Sequence, residues 1–230
     1  MSSSRVVSRW SVYGLTQSIR GAKFPMATDV SILTGDMTKG IKALAQTPPG
    51  EGHDQWLTRV IVQFDLTFSI KAWTEAQRYH FFDFVSSQST MHRINRFNLE
   101  DSYDDHTDPR SIEIVRELVE RFNKTEDPED FLRVIMSNPC GMRLTARMTT
   151  NYRQLKTIYR QRKTHRLPEW REFCGWIEQL PMAELITGQE KDPCETCHAY
   201  GDDYYITDDG EVGYYCDDCW VTKEGLKRGD

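Results

Sequence analysis

Between residues 60 and 70 the chain alternates almost strictly between apolar and polar positions. Val60, Val62, Phe64, Leu66, Phe68 and Ile70 are apolar, Arg59, Gln63, Asp65, Thr67 and Ser69 are polar, and Ile61 is the one departure. A period of two sends successive side chains to opposite faces and predicts one long, half-buried strand. From Ala72 the period becomes helical. Trp73, Ala76, Tyr79/His80, Phe84 and Ser87 fall on one side, which predicts a helix running to about Gln88. Residues 111–123 show the same spacing through Ile112, Val115, Leu118, Val119 and Phe122. Asp127-Pro128-Glu129 opens another helix, because aspartate accepts from unpaired first-turn amides and proline suits the first helical position. It stops before Asn138-Pro139. A helix capped by Thr149 or Thr150 comes next, and a last one begins at Pro168 with Trp170, Phe173 and Ile177 facing inward. Apolar clusters before residue 36 read as short strands, and residues 37–46 as a helix closed by Pro48-Pro49-Gly50-Glu51-Gly52. The pattern predicts an α+β domain, a long-stranded, largely antiparallel sheet with packed helices.

Charge changes the reading of the helix before Pro168. Residues 143–166 hold eight Arg/Lys and no acid in a chain of net charge −6. Tyr152, Leu155 and Tyr159 form the apolar stripe there, and Arg162 stands on that same stripe. An arginine aimed inward among aromatics needs an anionic partner, since an unpaired buried charge is costly. Either a carboxylate of the chain or a ligand must supply it.

Length and composition set wider bounds. With 230 residues, 38% hydrophobic and 28% charged, the chain fits one substantial globular domain and a small appendage. No apolar run approaches the ~20 residues of a membrane span, so no membrane partner is expected. The first residues lack the apolar segment of a secretory signal, and the expected compartment is the cytoplasm. Overall acidity argues against nucleic-acid binding by the whole surface and leaves a local basic cleft open.

After Pro181 the composition turns acidic and cysteine-rich, which places a boundary near residues 188–193 and divides the chain into 1–188 and 189–230. Cys194-x2-Cys197 and Cys216-x2-Cys219 have the spacing of a four-cysteine zinc site, with 204–207 and 212–215 reading as a hairpin between the knuckles. This predicts a small C-terminal zinc ribbon with a structural ion, since four thiolates leave no open coordination position. Cys194-Glu195-Thr196-Cys197-His198 also fits a c-type haem attachment, and either pair fits a redox dithiol, but each leaves the other pair unexplained. Ten acids and one lysine between residues 190 and 218 suit a stabilising or protein-contacting ribbon better than a phosphate-binding one. Cys174 reads as a core thiol of the last helix.

Three segments together resemble the flavin-dependent thymidylate synthases. Gly52-His53-Asp54 before the long strand is similar to that family's Gly-His-Glu-Ser. Gln88-Ser89-Thr90-Met91-His92-Arg93-Ile94-Asn95-Arg96-Phe97-Asn98 resembles its Arg-His-Arg hallmark with the glutamine upstream. Thr149-Thr150-Asn151-Tyr152-Arg153-Gln154-Leu155 resembles its Thr-Val-Asn-x-Arg-x-Leu helix. Arg162 and then Glu169-Trp170 match the later arginine and the Ala-Gln-Trp-Glu turn of that family. The matched segments span roughly residues 30–180. Met91 stands for the first arginine of the hallmark and Arg96 for its serine. Glu100 and Ser102 come one residue late, Tyr103-Asp104 replaces a closing Arg-Tyr that grips the nucleotide phosphate, and Thr157 replaces a residue usually Asn or His.

The resemblance implies a flavin and nucleotide cleft lined by His53, His92, Arg93, Asn98, Asn151 and Arg153 toward FAD, and by Gln88, Ser102 and Arg133 toward the nucleotide. Arg162 would contact the uracil ring and stabilise charge developing on it. It implies reductive methylation, or a related C5 modification such as hydroxymethylation, of dUMP with FAD, methylene-tetrahydrofolate and NADPH, in a homotetramer. No protein nucleophile is required, so Arg, His and Asn are suitable groups for orientation and electrostatics. A second reading keeps the fold without catalysis: a nucleotide- or nucleic-acid-binding protein whose ribbon holds a protein partner. Taken singly the same residues have plainer roles, with His53 as loop surface, His92-Arg93 as a solvated helix end, Asn151 as a cap and the basic run as a face paired with acids.

Overall fold

The structure is a computed structural model that describes residues 4–47 and 51–188 and, beyond them, the backbone of 204–206 and 212–214. The strands and helices are, in order, β1 (Val7–Tyr13), α1 (Leu15–Ala22), α2 (Lys39–Gln46), β2 (Ile61–Ser69), α3 (Ile70–Ala76), β3 (Asp83–Ser87) and α4 (Thr90–Arg93). After these come α5 (Pro109–Thr125), α6 (Pro128–Ser137), β4 (Arg143–Asn151), α7 (Tyr152–Arg162), α8 (Pro168–Ile177), α9 (Glu184–Thr187), β5 (Tyr204–Ile206) and β6 (Val212–Tyr214). Four strands form an antiparallel sheet in the order β1-β2-β4-β3, as the α+β reading expects. The chain divides into two compact units. One takes the chain to Ser11, Val62–Thr150 and Gln161–Trp176; the other takes Val12–Ile61, Asn151–Arg160 and the chain from Ile177.

The core of the first unit grows from the alternation on β2. Val62, Phe64, Leu66 and Phe68 are fully buried, and Ala146 and Met148 of β4 are buried with them. Phe173 of α8 lies at the centre of the aromatic layer, with ring centroids 5.2–6.0 Å from Phe64, Phe68, Phe82, Trp170 and Trp176. Offset and edge contacts of this kind add to area burial. Buried Glu169 fixes the junction of β2 and α3. Its carboxylate accepts the Ser69 amide at 2.5 Å and the Ser69 hydroxyl at 2.6 Å, while Ser69 Oγ accepts the Ala72 amide and so caps α3. A second apolar cluster joins Ile94, Leu99, Tyr103 and Met142 to Val115 and Val119 of α5 and Val134 of α6. Asp108 and Asp127 cap α5 and α6, each with proline next in the chain, which is the predicted start for α6.

The second unit buries Ile19, Ile41, Leu57, Val60, Tyr152, Leu155, Ile158, Leu180, Leu185 and Ile186. Gly14 opens α1 with φ +75°, and a Cβ there would meet the Arg59 carbonyl oxygen at 2.9 Å, so glycine is required on both counts. α7 presents Tyr152, Leu155 and Ile158 to this core. The buried stripe thus passes through Ile158, and Tyr159 reaches Glu178 at 2.7 Å instead.

Several predicted elements differ. The helix expected to reach Gln88 ends at Ala76, and Asp83–Ser87 is an edge strand paired with β4, with a bulge between Phe84 and Ser86. All five residues of β3 are exposed, so no inward alternation marks it as a strand. The helical spacing sets Phe84 beside Trp73, and their rings do meet at 4.9 Å, but from a strand rather than a later turn of one helix. The cluster at Val30–Ile32 is a 3-10 turn rather than a strand. Thr149 and Thr150 lie in β4, and the α7 cap is Asn151, whose Oδ1 accepts the Gln154 amide at 2.9 Å. β5 and β6 pair antiparallel with Tyr204 opposite Tyr214 and Ile206 opposite Val212, on the predicted hairpin segments. Cys194, Cys197, Cys216 and Cys219 lie outside the described residues.

Phe173→Ala removes the side chain against which five other rings pack. It is expected to cost about 3–5 kcal/mol in a urea unfolding titration, and a loss under about 1 kcal/mol would show that the layer is not the core's centre.

Candidate functional site

Arg162 ends α7 with a side chain only 14% exposed, and the partner its position demands is a carboxylate. Its Nη1 donates to Glu75 Oε2 at 2.9 Å and its Nε donates to the Tyr79 hydroxyl at 2.7 Å. The guanidinium carbon lies 4.9 Å from the Trp170 ring centroid and 5.4 Å from that of Tyr79. Tyr79 passes its own proton to Gln161 Oε1 at 2.9 Å. Glu75 also meets His165 Nε2 at 3.2 Å and Lys71 Nζ at 3.3 Å. Because His165 Nδ1 accepts the Leu167 amide, the proton of the neutral ring sits on Nε2, toward Glu75.

The charges follow this geometry. Burial pushes the Glu75 carboxyl up, but the Lys71 hydrogen bond and the His165 and Arg162 charges outweigh it and hold the group below its ordinary value. Burial holds His165 below its ordinary value against the pull of Glu75. Burial also raises the Tyr79 hydroxyl, against the hydrogen bond from Arg162, so it stays protonated at neutral pH. The result is a fixed guanidinium against two rings, with its Nη2 free of hydrogen bonds among the described residues. Such a group can donate to an acceptor without first reorganising.

A second arginine–carboxylate cluster lies within the other unit. Asp54 is 2% exposed and accepts Arg153 Nε at 2.9 Å on one oxygen and Lys156 Nζ at 3.1 Å on the other. Lys156 donates also to the carbonyls of Ala45 and Thr47 at 2.7 and 2.8 Å, which uses all three of its protons and ties the end of α2. Burial lowers its pKa, opposed by the bond to Asp54. Gly52, with φ +83°, and exposed His53 precede this buried carboxylate.

The remaining sequence-derived positions are mostly occupied within the chain. Gln88 continues the β3–β4 ladder, donating its amide N–H to the Thr145 carbonyl at 2.9 Å and accepting the Thr145 amide on its side chain at 2.8 Å. His92 Nδ1 lies 2.8 Å from Ser89 Oγ. Arg93 is exposed, and its side chain has no hydrogen bond or ion pair among the described residues. Asn98 bonds Asp101 and the Glu100 amide, and Ser102 donates back to the Asn98 carbonyl at 2.5 Å, so these two close a turn together. Tyr103 is buried, donates to Asn138 and is pushed up to about 12 by that burial. Arg133 pairs with Asp130 at 3.2 Å, beside Arg121, and bonds no other candidate. Within their units, then, Asn98 comes together with Ser102, and Asn151 caps the helix that carries Arg153.

The sequence reading misses the residues that organise both arginines. Tyr79 falls on a helical stripe and Trp170 on a core stripe, yet nothing in the pattern ties either to Arg162. Lys156 lies three residues after Arg153, a spacing that places the two on one face of α7, whereas Tyr79 lies beyond the end of the helix that carries Glu75.

No family model matches the chain, and no curated protein matches it. Solved structures do share its fold. One is a flavin-dependent thymidylate synthase, ThyX, from Helicobacter pylori, complexed with FAD and dUMP. It has 12% identity and a TM-score of 0.61, covering 79% of this chain and 96% of that one. A second structure of ThyX from that organism, also with FAD and dUMP, gives 14% identity, a TM-score of 0.58 and coverage of 79% and 95%. A UMP/dUMP methylase, PolB, from Streptomyces cacaoi, bound with 5-Br dUMP, gives 15%, 0.54, and coverage of 76% and 87%. Among the described residues no helix is long and apolar enough to cross a membrane, and no group of three or more His, Cys, Asp or Glu is placed to hold a metal ion.

Both clusters bear on stability. A histidine held below its ordinary value favours the neutral ring in the folded protein, so its contribution is present above about pH 6.5 and is lost as pH falls. The depressed Glu75 carboxyl adds a further loss at lower pH, in the same direction. The thermal midpoint should therefore fall from about pH 6.5 downward, and more gently in His165→Gln; an identical slope would remove His165 as a source. Lys156→Met leaves two carbonyls and part of Asp54 unpaired and should cost about 3–5 kcal/mol in denaturant unfolding.

Proposed function

We propose that the protein is a divergent pyrimidine-nucleotide-modifying enzyme on the flavin-dependent thymidylate synthase fold, acting at C5 of dUMP or a close relative. The observation that supports it is a coincidence of two independent signals. The chain shares its fold with proteins solved with FAD and dUMP or a dUMP analogue. It also carries Gly52-His53, Gln88 with His92-Arg93, and Asn151-x-Arg153 with Arg162, in the order of that family's motifs.

The donor set suits a dinucleotide such as FAD. His53, His92 and Arg93 are exposed, and the Arg93 guanidinium is uncommitted among the described residues, as a binder of phosphate oxygens should be. Bound flavin supplies the reducing equivalents, with NADPH to restore it and methylene-tetrahydrofolate as the one-carbon source. The chain's own part is to hold and orient: Arg153 is set by Asp54, Asn151 fixes the start of α7, and Arg162 offers a donor to the pyrimidine ring. A homo-oligomer is part of this reading.

The four cysteines suit a tetrahedral structural zinc by donor type and spacing, and in the sequence β5 and β6 fall between the two cysteine pairs. The ribbon is then a candidate contact for a protein partner.

One observation favours a second reading, nucleotide or nucleic-acid binding without turnover. The turn that corresponds to the phosphate-gripping part of the hallmark spends Asn98 and Ser102 on itself, and Asp101 and Asp104 flank buried Tyr103. A phosphate there would meet the Asp101 and Asp104 carboxylates, with Arg143, which donates to the Asp101 carbonyl at 3.2 Å, as a countering cation.

Purified protein should show oxidised-flavin absorption bands or quench added FAD, release deuterium from C5-labelled dUMP, and contain one zinc per chain that Cys216→Ser abolishes. Colourless protein indifferent to FAD would sink the enzyme reading, and nucleotide binding without deuterium release would select the second.

A further inference from the structure

We infer that Glu75 is a specificity-determining positioning residue, which makes Arg162 select an uncharged carbonyl acceptor over a phosphate. The inference rests on the nucleotide-modifying reading above and deepens it, because it assigns a role to a residue outside all three motifs.

Two of the five guanidinium N–H donors are in use. Nη1 donates one to Glu75 and Nε donates its own to Tyr79, so Nη2 is the one nitrogen without a hydrogen bond among the described residues. The rings of Trp170 and Tyr79 lie against the guanidinium and restrict where a ligand can approach it. A two-pronged grip on phosphate would draw on Nη1 as well as Nη2 and so bring the anion beside the carboxylate that Nη1 already serves.

Charge points the same way. The Glu75 carboxylate stands 2.9 Å from Nη1 and is held ionised by its surroundings. His165, also on Glu75, is held toward its neutral form, and Lys71 is more than half exposed, so water screens much of its charge. The Arg162–Glu75 pair is therefore close to neutral as a ligand meets it. A dianionic phosphate at Nη2 would gain little net attraction and would be repelled by Glu75. A neutral ring carbonyl keeps the whole hydrogen bond, strengthened because its donor is charged and largely buried.

The test uses the full-length protein saturated with FAD, with calorimetric binding of dUMP, deoxyuridine and inorganic phosphate. In the native protein deoxyuridine should bind and phosphate should not compete with it. In Glu75→Gln, deoxyuridine should weaken by at least about tenfold and phosphate should become a competitor, with Glu75→Asp restoring part of both effects. Equal weakening for every ligand, together with a lowered thermal midpoint, would mean that Glu75 is only structural and would overturn the inference. So would unchanged deoxyuridine affinity. A ligand-free readout separates this failure from that of the underlying reading. The Arg162 Nη–H nuclear magnetic resonance signal from the proton on Glu75 should exchange slowly in the native protein and quickly in Glu75→Gln. If the native protein binds neither dUMP nor deoxyuridine, the enzyme reading and the selectivity fail together; if the Nη–H protection survives in Glu75→Gln, the positioning role alone fails.

Discussion

The Glu75 carboxylate is where burial, charge and aromatic packing meet in the first unit. Arg162 could not remain 14% exposed beside Trp170 and Tyr79 without an anion, because a buried cation loses more solvation than ring contacts return. Glu75 supplies that anion from just before the end of α3, and Ser69, held by Glu169 of α8, caps the same helix. The carboxylate is thus placed by a helix whose start is fixed through α8, and Trp170, which packs on the arginine, also belongs to α8. A change at Ser69 or Glu169 should therefore be felt at Arg162, although neither touches it.

Asp54 applies the same constraint in the second unit with a different balance. Two cations share one carboxylate, and the surplus is resolved by peptide carbonyls, since Lys156 gives its other protons to Ala45 and Thr47. Those carbonyls end α2, where the helix dipole is negative and a cation is favoured. Lys156 is accordingly a buried strut rather than a nucleophile, because it has no proton left to offer a ligand. Among the described residues the Arg153 Nη groups have no hydrogen bond, and so retain a donor edge that Lys156 has lost.

How much of this was legible depended on whether a residue's role was local. The alternation on β2 was readable because one face is wholly buried, and the start of α6 was readable because Asp127-Pro128 acts within a single turn. β3 was hidden because an edge strand exposed on both sides carries no alternation, and a bulge at Val85 breaks what register it has. Arg162 announced its inward aim through its place on a stripe, but its partner lies 87 residues away in sequence, and no periodicity links positions so distant. Asp54 and Lys156 were hidden in the same way, 102 residues apart. Asn98 and Ser102 could be matched to a motif, whereas their commitment to one turn depends on a backbone path that composition does not reveal.

The two halves of the proposed nucleotide recognition consequently stand on unequal footing. At the proposed ring contact, the chain has gathered a carboxylate, two aromatic rings and a tyrosine hydroxyl around one arginine, and has left that arginine a free edge among the described residues. At the turn proposed to correspond to the phosphate end of the motif, Asn98 and Ser102 are consumed locally, and the carboxylates of Asp101 and Asp104 stand against the Arg143 guanidinium, which donates to the Asp101 carbonyl. On the proposed reading, such a site would draw more of its affinity from the base than from the phosphate. Such a site discriminates through hydrogen-bond geometry, where a misplaced or missing carbonyl leaves a buried donor unpaired. It follows that substrate choice should be governed by the pyrimidine's pattern of acceptors far more than by the number of phosphates it carries.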